Sequence, residues 1–193
     1  MRYEALQPGH HMNLDEKFGQ CLPFQRDASE AELAWQPRSL QVLSNETAPA
    51  LKTLIDATVA QPLTQVVHAT TPILWLVDRE GNVRFAMEEV LNRETGSLNF
   101  VLPKNSPPLR ETEVRLGHPA LLDPGIPETK MARIGGELNY DPFEGKRPWV
   151  LTNNSGRYGK RPHITDEHLE NVNDIFAGFG ISLRTFFLYT PAA

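Results

Sequence analysis

Apolar residues at Leu51, Leu54, Ile55 and Val59 recur every three or four positions, so a helix from about Pro49 to Ala60 would carry one apolar face. Thr47 offers a capping oxygen, Pro49 suits the first turn, and Pro62 stops the helix. Beyond Pro62 the period changes. Residues 65–70 and 73–77 read as strands, Asp78 to Gly81 as a turn, and Val83 and Phe85 alternate with Asn82 and Arg84, which predicts a hairpin. Glu88 to Asn92 reads as a helical turn, 98–102 as a short strand, and 103–108 as a proline-bearing loop.

After Leu116, the residues Gly117, Pro119, Pro124, Gly125 and Pro127 break every period, and irregular stretches of this length inside a domain tend to be functional. Residues 132–140 have strand character, with Gly135 and Gly136 permitting a bulge or a close backbone approach. A loop over 141–147 leads to a strand at Trp149 to Thr152. A second helix starts near Thr165 or Asp166, aligns Leu169, Val172, Ile175, Phe176 and Phe179, and ends at Gly178 or Gly180. Residues 181–189 close the chain as a strand.

Residues 1–43 carry Pro8, Gly9, Gly19, Pro23 and Pro37 with no sustained period, apart from a short helix at Ser29 to Trp35. They read as an irregular segment packed on a domain formed by residues 44–193. The expected architecture is a single α+β domain, a mixed or mainly antiparallel sheet with helices 49–60 and 166–178 packed against it.

Composition narrows the classes. The chain has 193 residues, 40% hydrophobic and 22% charged, which suits one core. A net charge of −5, with basic pairs only at Lys146/Arg147 and Lys160/Arg161, argues against nucleic acid as a partner. Cys21 is the single cysteine, so no intrachain disulfide forms. No apolar run is long enough for a membrane span, and the expected location is the cytoplasm, or outside the cell by a dedicated secretion machine. His10 and His11 lack the further spaced ligands of a metal site, and neither a zinc motif nor a phosphate-binding glycine loop occurs.

Three pieces can carry chemistry: Leu116-Gly117-His118-Pro119, Ala132 to Leu138 with Glu137, and Asn153-Asn154-Ser155-Gly156-Arg157-Tyr158. His118 and Glu137 can serve as acid and base, while Asn153, Asn154, Ser155, Arg157 and Tyr158 offer donors to an anionic or sugar-like ligand. The plainer readings are an Arg133–Glu137 surface pair and an Asn-Asn-Ser-Gly turn. A Ser155, His118, Glu137 triad lacks the Gly-x-Ser-x-Gly elbow.

The order His-Pro-Ala-Leu, Gly-Gly-Glu-Leu, Ser-Gly-Arg-Tyr, then a helix ending in Phe-Gly-Ile, over residues 116–183, resembles bacterial polymorphic-toxin and effector-type domains. Pro119 and Arg157 depart from that pattern, which has Ser after its first histidine and a second histidine at the Arg157 position. Val66-Val67-His68-Ala69-Thr70 also resembles the first strand of ADP-ribosyltransferase-like toxins. That likeness implies NAD as substrate, with His68 and Thr70 holding its ribose and Glu137 assisting cleavage of the nicotinamide bond. The residues leave open two other readings: a non-enzymatic immunity or adaptor module whose acidic surface binds a protein partner, and an enzyme using His118, Glu137 and Arg157 on a sugar- or phosphate-bearing substrate.

Overall fold

The structure, a computed structural model, describes residues 13–143 and 147–189; His10, His11 and Lys146 lie outside them. The N-terminal part holds α1 (Leu14–Phe18), β1 (Leu22–Pro23), α2 (Glu30–Ala34) and β2 (Gln41–Val42). Next come α3 (Ala48–Ala60), α4 (Pro62–Thr70), β3 (Ile73–Val77), β4 (Val83–Met87), β5 (Glu89–Asn92), β6 (Leu98–Val101) and β7 (Glu113–Leu116). Two 3-10 turns, His118–Leu121 and Pro127–Thr129, precede β8 (Met131–Ala132), β9 (Ile134–Tyr140), β10 (Trp149–Thr152), α5 (Asp166–Gly178) and β11 (Arg184–Phe186).

The main sheet has the order β11-β10-β9-β3-β4-β2, antiparallel except for the β10–β11 pair, which α5 connects as a crossover. A second sheet, β6-β5-β7, is antiparallel, and β1 pairs with β8. Strand alternation divides the side chains of the main sheet between two faces. On one face Trp75, Val77, Leu138, Trp149 and Leu151 meet α3 through Leu51 and Ile55, and α5 through Leu169, Val172 and Phe176. Burial of each such side chain contributes about 1.5–3 kcal/mol. On the other face Leu74, Leu76 and Ala86 meet Leu121, Leu122, Ala132 and Tyr158.

The termini of α5 show how local chemistry sets a boundary. Thr165 Oγ1 accepts from the His168 amide at 3.4 Å, and His168 Nδ1 accepts from the Thr165 amide at 3.1 Å, a reciprocal cap with histidine in the usual glutamate position. At the other end Gly180 adopts φ 73°, letting the Gly180 amide reach Ala177 O at 2.9 Å and the Ile181 amide reach Phe176 O at 3.0 Å.

Four sequence expectations change. Residues 65–70 are helical, not a strand: Gln61 is extended, and Pro62 both ends α3 and occupies the first turn of α4. Val66 and Val67, the residues that suggested β structure, are exposed on that helix, while His68 is buried. Residues 88–92 form strand β5, not a helical turn, because pairing on both sides with β6 and β7 satisfies a backbone too short to show a period. The 132–140 strand divides at Arg133 into β8, which pairs with β1, and β9, which joins the main sheet. Only Arg184–Phe186 of 181–189 is a strand, since Ile181 and Leu183 are spent in the core as the chain leaves α5.

Candidate functional site

Glu137 lies on β9 opposite Leu74 of β3 and Thr152 of β10, so its side chain emerges on the face away from α3 and α5. His118 opens the 3-10 turn that follows β7 and is buried against the same strand, with Nε2 2.9 Å from Gly136 O. A carbonyl only accepts, so Nε2 carries the proton of the neutral ring and the lone pair is on Nδ1. Burial lowers the His118 pKa, against the raising effects of the Gly136 carbonyl and the Glu137 charge.

These groups line one pocket of about 410 Å³, together with Glu88, Arg115, Asn154, Ser155 and Arg157. Arg26 and Asp27 close it from the N-terminal segment. Sequence reasoning missed Glu88. It sits where the chain leaves β4 in the six-stranded sheet for β5 in the three-stranded one. Its neighbour Glu89 accepts from the Ser39 amide at 2.8 Å, the Ser39 hydroxyl at 2.5 Å and the Arg38 amide at 3.2 Å. Among the described residues Glu88 has only Arg115 Nε, at 4.0 Å, as a charged partner. Its pKa is raised, first by burial and then by the negative charges of Glu137 and Glu32, against Arg115 and Arg157. Glu137, in contrast, accepts from Asn139 Nδ2 at 3.3 Å and has Lys104 Nζ at 3.9 Å. It does not pair with Arg133, whose guanidinium bonds Asp15 and the carbonyls of Arg79 and Gly19.

Glu32, also unforeseen, holds the wall together. It is 2% exposed, caps α2 through the Ser29 amide at 2.9 Å, accepts from the Gly117 amide at 3.2 Å, and is paired with Arg157. Arg157 Nη2 also donates to Asp27 O at 2.8 Å. Glu32→Ala would leave Arg157 without its carboxylate and the Gly117 amide unpaired, and should cost about 3–5 kcal/mol. Urea denaturation measures this, and a loss below about 1 kcal/mol would refute the clamp.

The remaining candidates divide. Asn154, Ser155 and Arg157 face the pocket, but the Ser155 hydroxyl accepts from the amides of Arg157 at 3.4 Å and Tyr158 at 3.2 Å, as turn hydroxyls do, and makes no bond to His118. Asn153 is fully buried and ties the C-terminal segment down, accepting from the Leu188 amide at 2.7 Å and donating to Leu188 O at 3.1 Å. Tyr158 is buried under the site with its hydroxyl donating to Lys130 O at 2.9 Å, and burial pushes its pKa up. His68 is on the opposite face of the sheet, its ring 5.3 Å from that of Trp149, and Thr70 is exposed at the end of the same helix. Neither joins Glu137.

No protein-family model matches the chain, and neither does any curated protein or solved structure. The chemistry therefore rests on the pocket itself. A half-buried carboxyl with raised pKa, a second carboxylate, an imidazole whose pKa is lowered and a fixed guanidinium can donate a proton, accept one and hold a polar substrate. Among the described residues no three His, Cys, Asp or Glu side chains are grouped to hold a metal ion, and no helix is long and apolar enough to cross a membrane.

Proposed function

We propose that the protein is an effector-type enzyme that cleaves or transfers a group of a sugar- or phosphate-bearing substrate by acid–base catalysis. The observation that carries this reading is the meeting of Glu88, Glu137 and His118 around one polar pocket. Two carboxyl groups with different environments divide the roles. Glu88, whose pKa is raised by burial and by the charges of Glu137 and Glu32, is the better proton donor of the pair and gives its proton to the leaving-group oxygen as that bond breaks. Glu137 takes a proton from the attacking water or alcohol, whose oxygen forms the new bond. Proton exchange with solvent then restores both.

The lone pair on His118 Nδ1 accepts a substrate hydroxyl, because Nε2 is committed to Gly136 O. Arg157, held by Glu32, supplies positive charge that need not reorganise during reaction. NAD also carries sugar and phosphate; its nicotinamide leaves by C–N cleavage as a neutral ring that needs no proton, so its use as an ADP-ribosyl donor would rely on Glu137 as the base, without Glu88 as the acid and without His68 or Thr70.

The test incubates the protein with phosphorylated sugars, nucleoside diphosphate sugars and NAD, followed by phosphorus NMR. Conversion of one of these classes, lost in Glu137→Gln, supports the reading. No conversion of any member, with stoichiometric binding of a basic protein, would instead identify a binding module of immunity or adaptor type.

The raised pKa of Glu88 makes two further predictions. Activity should fall on the alkaline side only above the usual carboxylate range, and Glu88→Gln should remove that limb while slowing turnover about 10²-fold or more. For stability, the unfolded chain releases this proton near the ordinary value of 4.5 and the folded chain releases it later. Stability from this group is thus full at acid pH and lost as pH rises through the folded pKa. Glu88→Gln should therefore stabilise the protein at neutral pH, with the gain fading at acid pH. Paired urea titrations at the two pH values would show equal effects if Glu88 carried no burial penalty.

A further inference from the structure

The pocket adjoins a second compartment of about 780 Å³, and Glu88, Arg115, Glu137 and Asn154 line both. The two catalytic carboxyls thus stand on a boundary with room on either side. We infer that the substrate is extended and crosses this boundary, with a phosphate at the Arg26 end and a ring-bearing portion against the Pro107–Leu109 wall; this rests on the acid–base reading above.

Arg26 is exposed, lines the first compartment, and forms no hydrogen bond or ion pair with any described residue. Its backbone is left-handed at φ 68°, a conformation unfavourable to a residue with a Cβ. Two bonds with Arg157 hold that turn in place: the Gln25 amide donates to Arg157 O at 3.1 Å, and Arg157 donates to Asp27 O at 2.8 Å. The guanidinium lies over Gly156, with Nη1 3.1 Å from where a Cβ would stand. A strained turn that delivers an unpartnered guanidinium to the mouth of a pocket is arranged for an anion. Arg157 is already paired with Glu32 and Arg115 Nε stands 4.0 Å from Glu88, which leaves the Arg26 guanidinium to meet an incoming phosphate.

The second compartment differs in character. Pro103, Pro107, Pro108 and Leu109 form its apolar wall, and Lys104 approaches Glu137 at its inner edge. Such a wall takes the flat face of a ring, while polar groups at the boundary fix orientation.

Calorimetry on the full chain carrying Glu137→Gln, with ribose 5-phosphate and ADP-ribose as probes, tests this. ADP-ribose, which can span both compartments, should bind at least tenfold tighter than ribose 5-phosphate. Adding Arg26→Ala should weaken both about tenfold, and adding Leu109→Trp should weaken ADP-ribose alone. Equal affinities, no effect of Arg26→Ala, or no binding of either probe at millimolar concentration would overturn the inference. If the binding pattern appears but Glu137→Gln and wild type convert substrate equally, the extended ligand site stands and the acid–base reading falls.

Discussion

Glu137→Gln should lower turnover about 10²–10⁴-fold while leaving the urea midpoint nearly unchanged. The amide is isosteric with the carboxylate, and the side chain is 15% exposed at the pocket wall, so the substitution neither opens a cavity nor strips the core. What it removes is the ability to take up a proton from the attacking oxygen, and with it a negative charge that raises the Glu88 pKa. The two losses are linked. The double variant with Glu88→Gln should consequently be little slower than the slower single variant, as expected for residues acting as a unit. Steady-state rates on the best substrate of the panel measure this. Activity retained within tenfold in Glu137→Gln would exclude this carboxylate as the base.

Gly136→Ala should be among the most damaging glycine-to-alanine changes at the described residues, with a loss of about 4 kcal/mol or more. A Cβ at this position would lie 1.7 Å from Thr152 O and 2.8 Å from Thr152 C, and both are backbone atoms of the neighbouring strand. Side chains can rotate away from an intruding methyl, but a paired strand cannot move without breaking its ladder. β9 is central, bonded to β3 on one side and β10 on the other, so no free edge exists to absorb the shift. The same carbonyl position orients His118, so any protein that does fold should also lose activity. Two controls calibrate the result. At Gly135 the nearest atom to a Cβ is Trp75 O at 3.1 Å, so Gly135→Ala should cost less. Gly178 has nothing within 4 Å and ends α5, so Gly178→Ala should be neutral or slightly stabilising. Urea denaturation of the three variants gives the order, and a Gly136→Ala loss under about 1 kcal/mol would mean the strands can separate locally.

Much of the frame was legible along the chain because its signals are local. The stripe of Leu51 and Ile55, the Thr165 cap and the glycine stop at Gly180 each depend on residues within a turn or two of one another. The Gly135-Gly136 pair allowed a bulge or a close backbone approach, and Gly136 makes the close approach. α4 was misread because β-branched residues suggest a strand, and only their exposure on a short helix begun by Pro62 resolves the conflict.

The site was half legible. His118, Glu137, Asn154, Ser155 and Arg157 could be picked out by residue type in turns and at a glycine-bearing strand, and they share one pocket. Glu88 could not be told from Glu89, since what separates them is Ser39, about fifty positions away, which binds one carboxylate and leaves the other in the cleft. Glu32 and Arg26 came from a segment with no period of its own, and bonds made by Arg157 tie both to the pocket. Sequence periodicity and punctuation determined the α+β class, both long helices and the residue types able to do acid–base work, because those follow from bonds and side-chain directions within a few residues. Tertiary structure alone decided that His68 packs on Trp149 across the sheet from Glu137, that Tyr158 points inward, and that Glu88 shares a pocket with Glu137, because those depend on strand order and on which distant partner satisfies each buried charge.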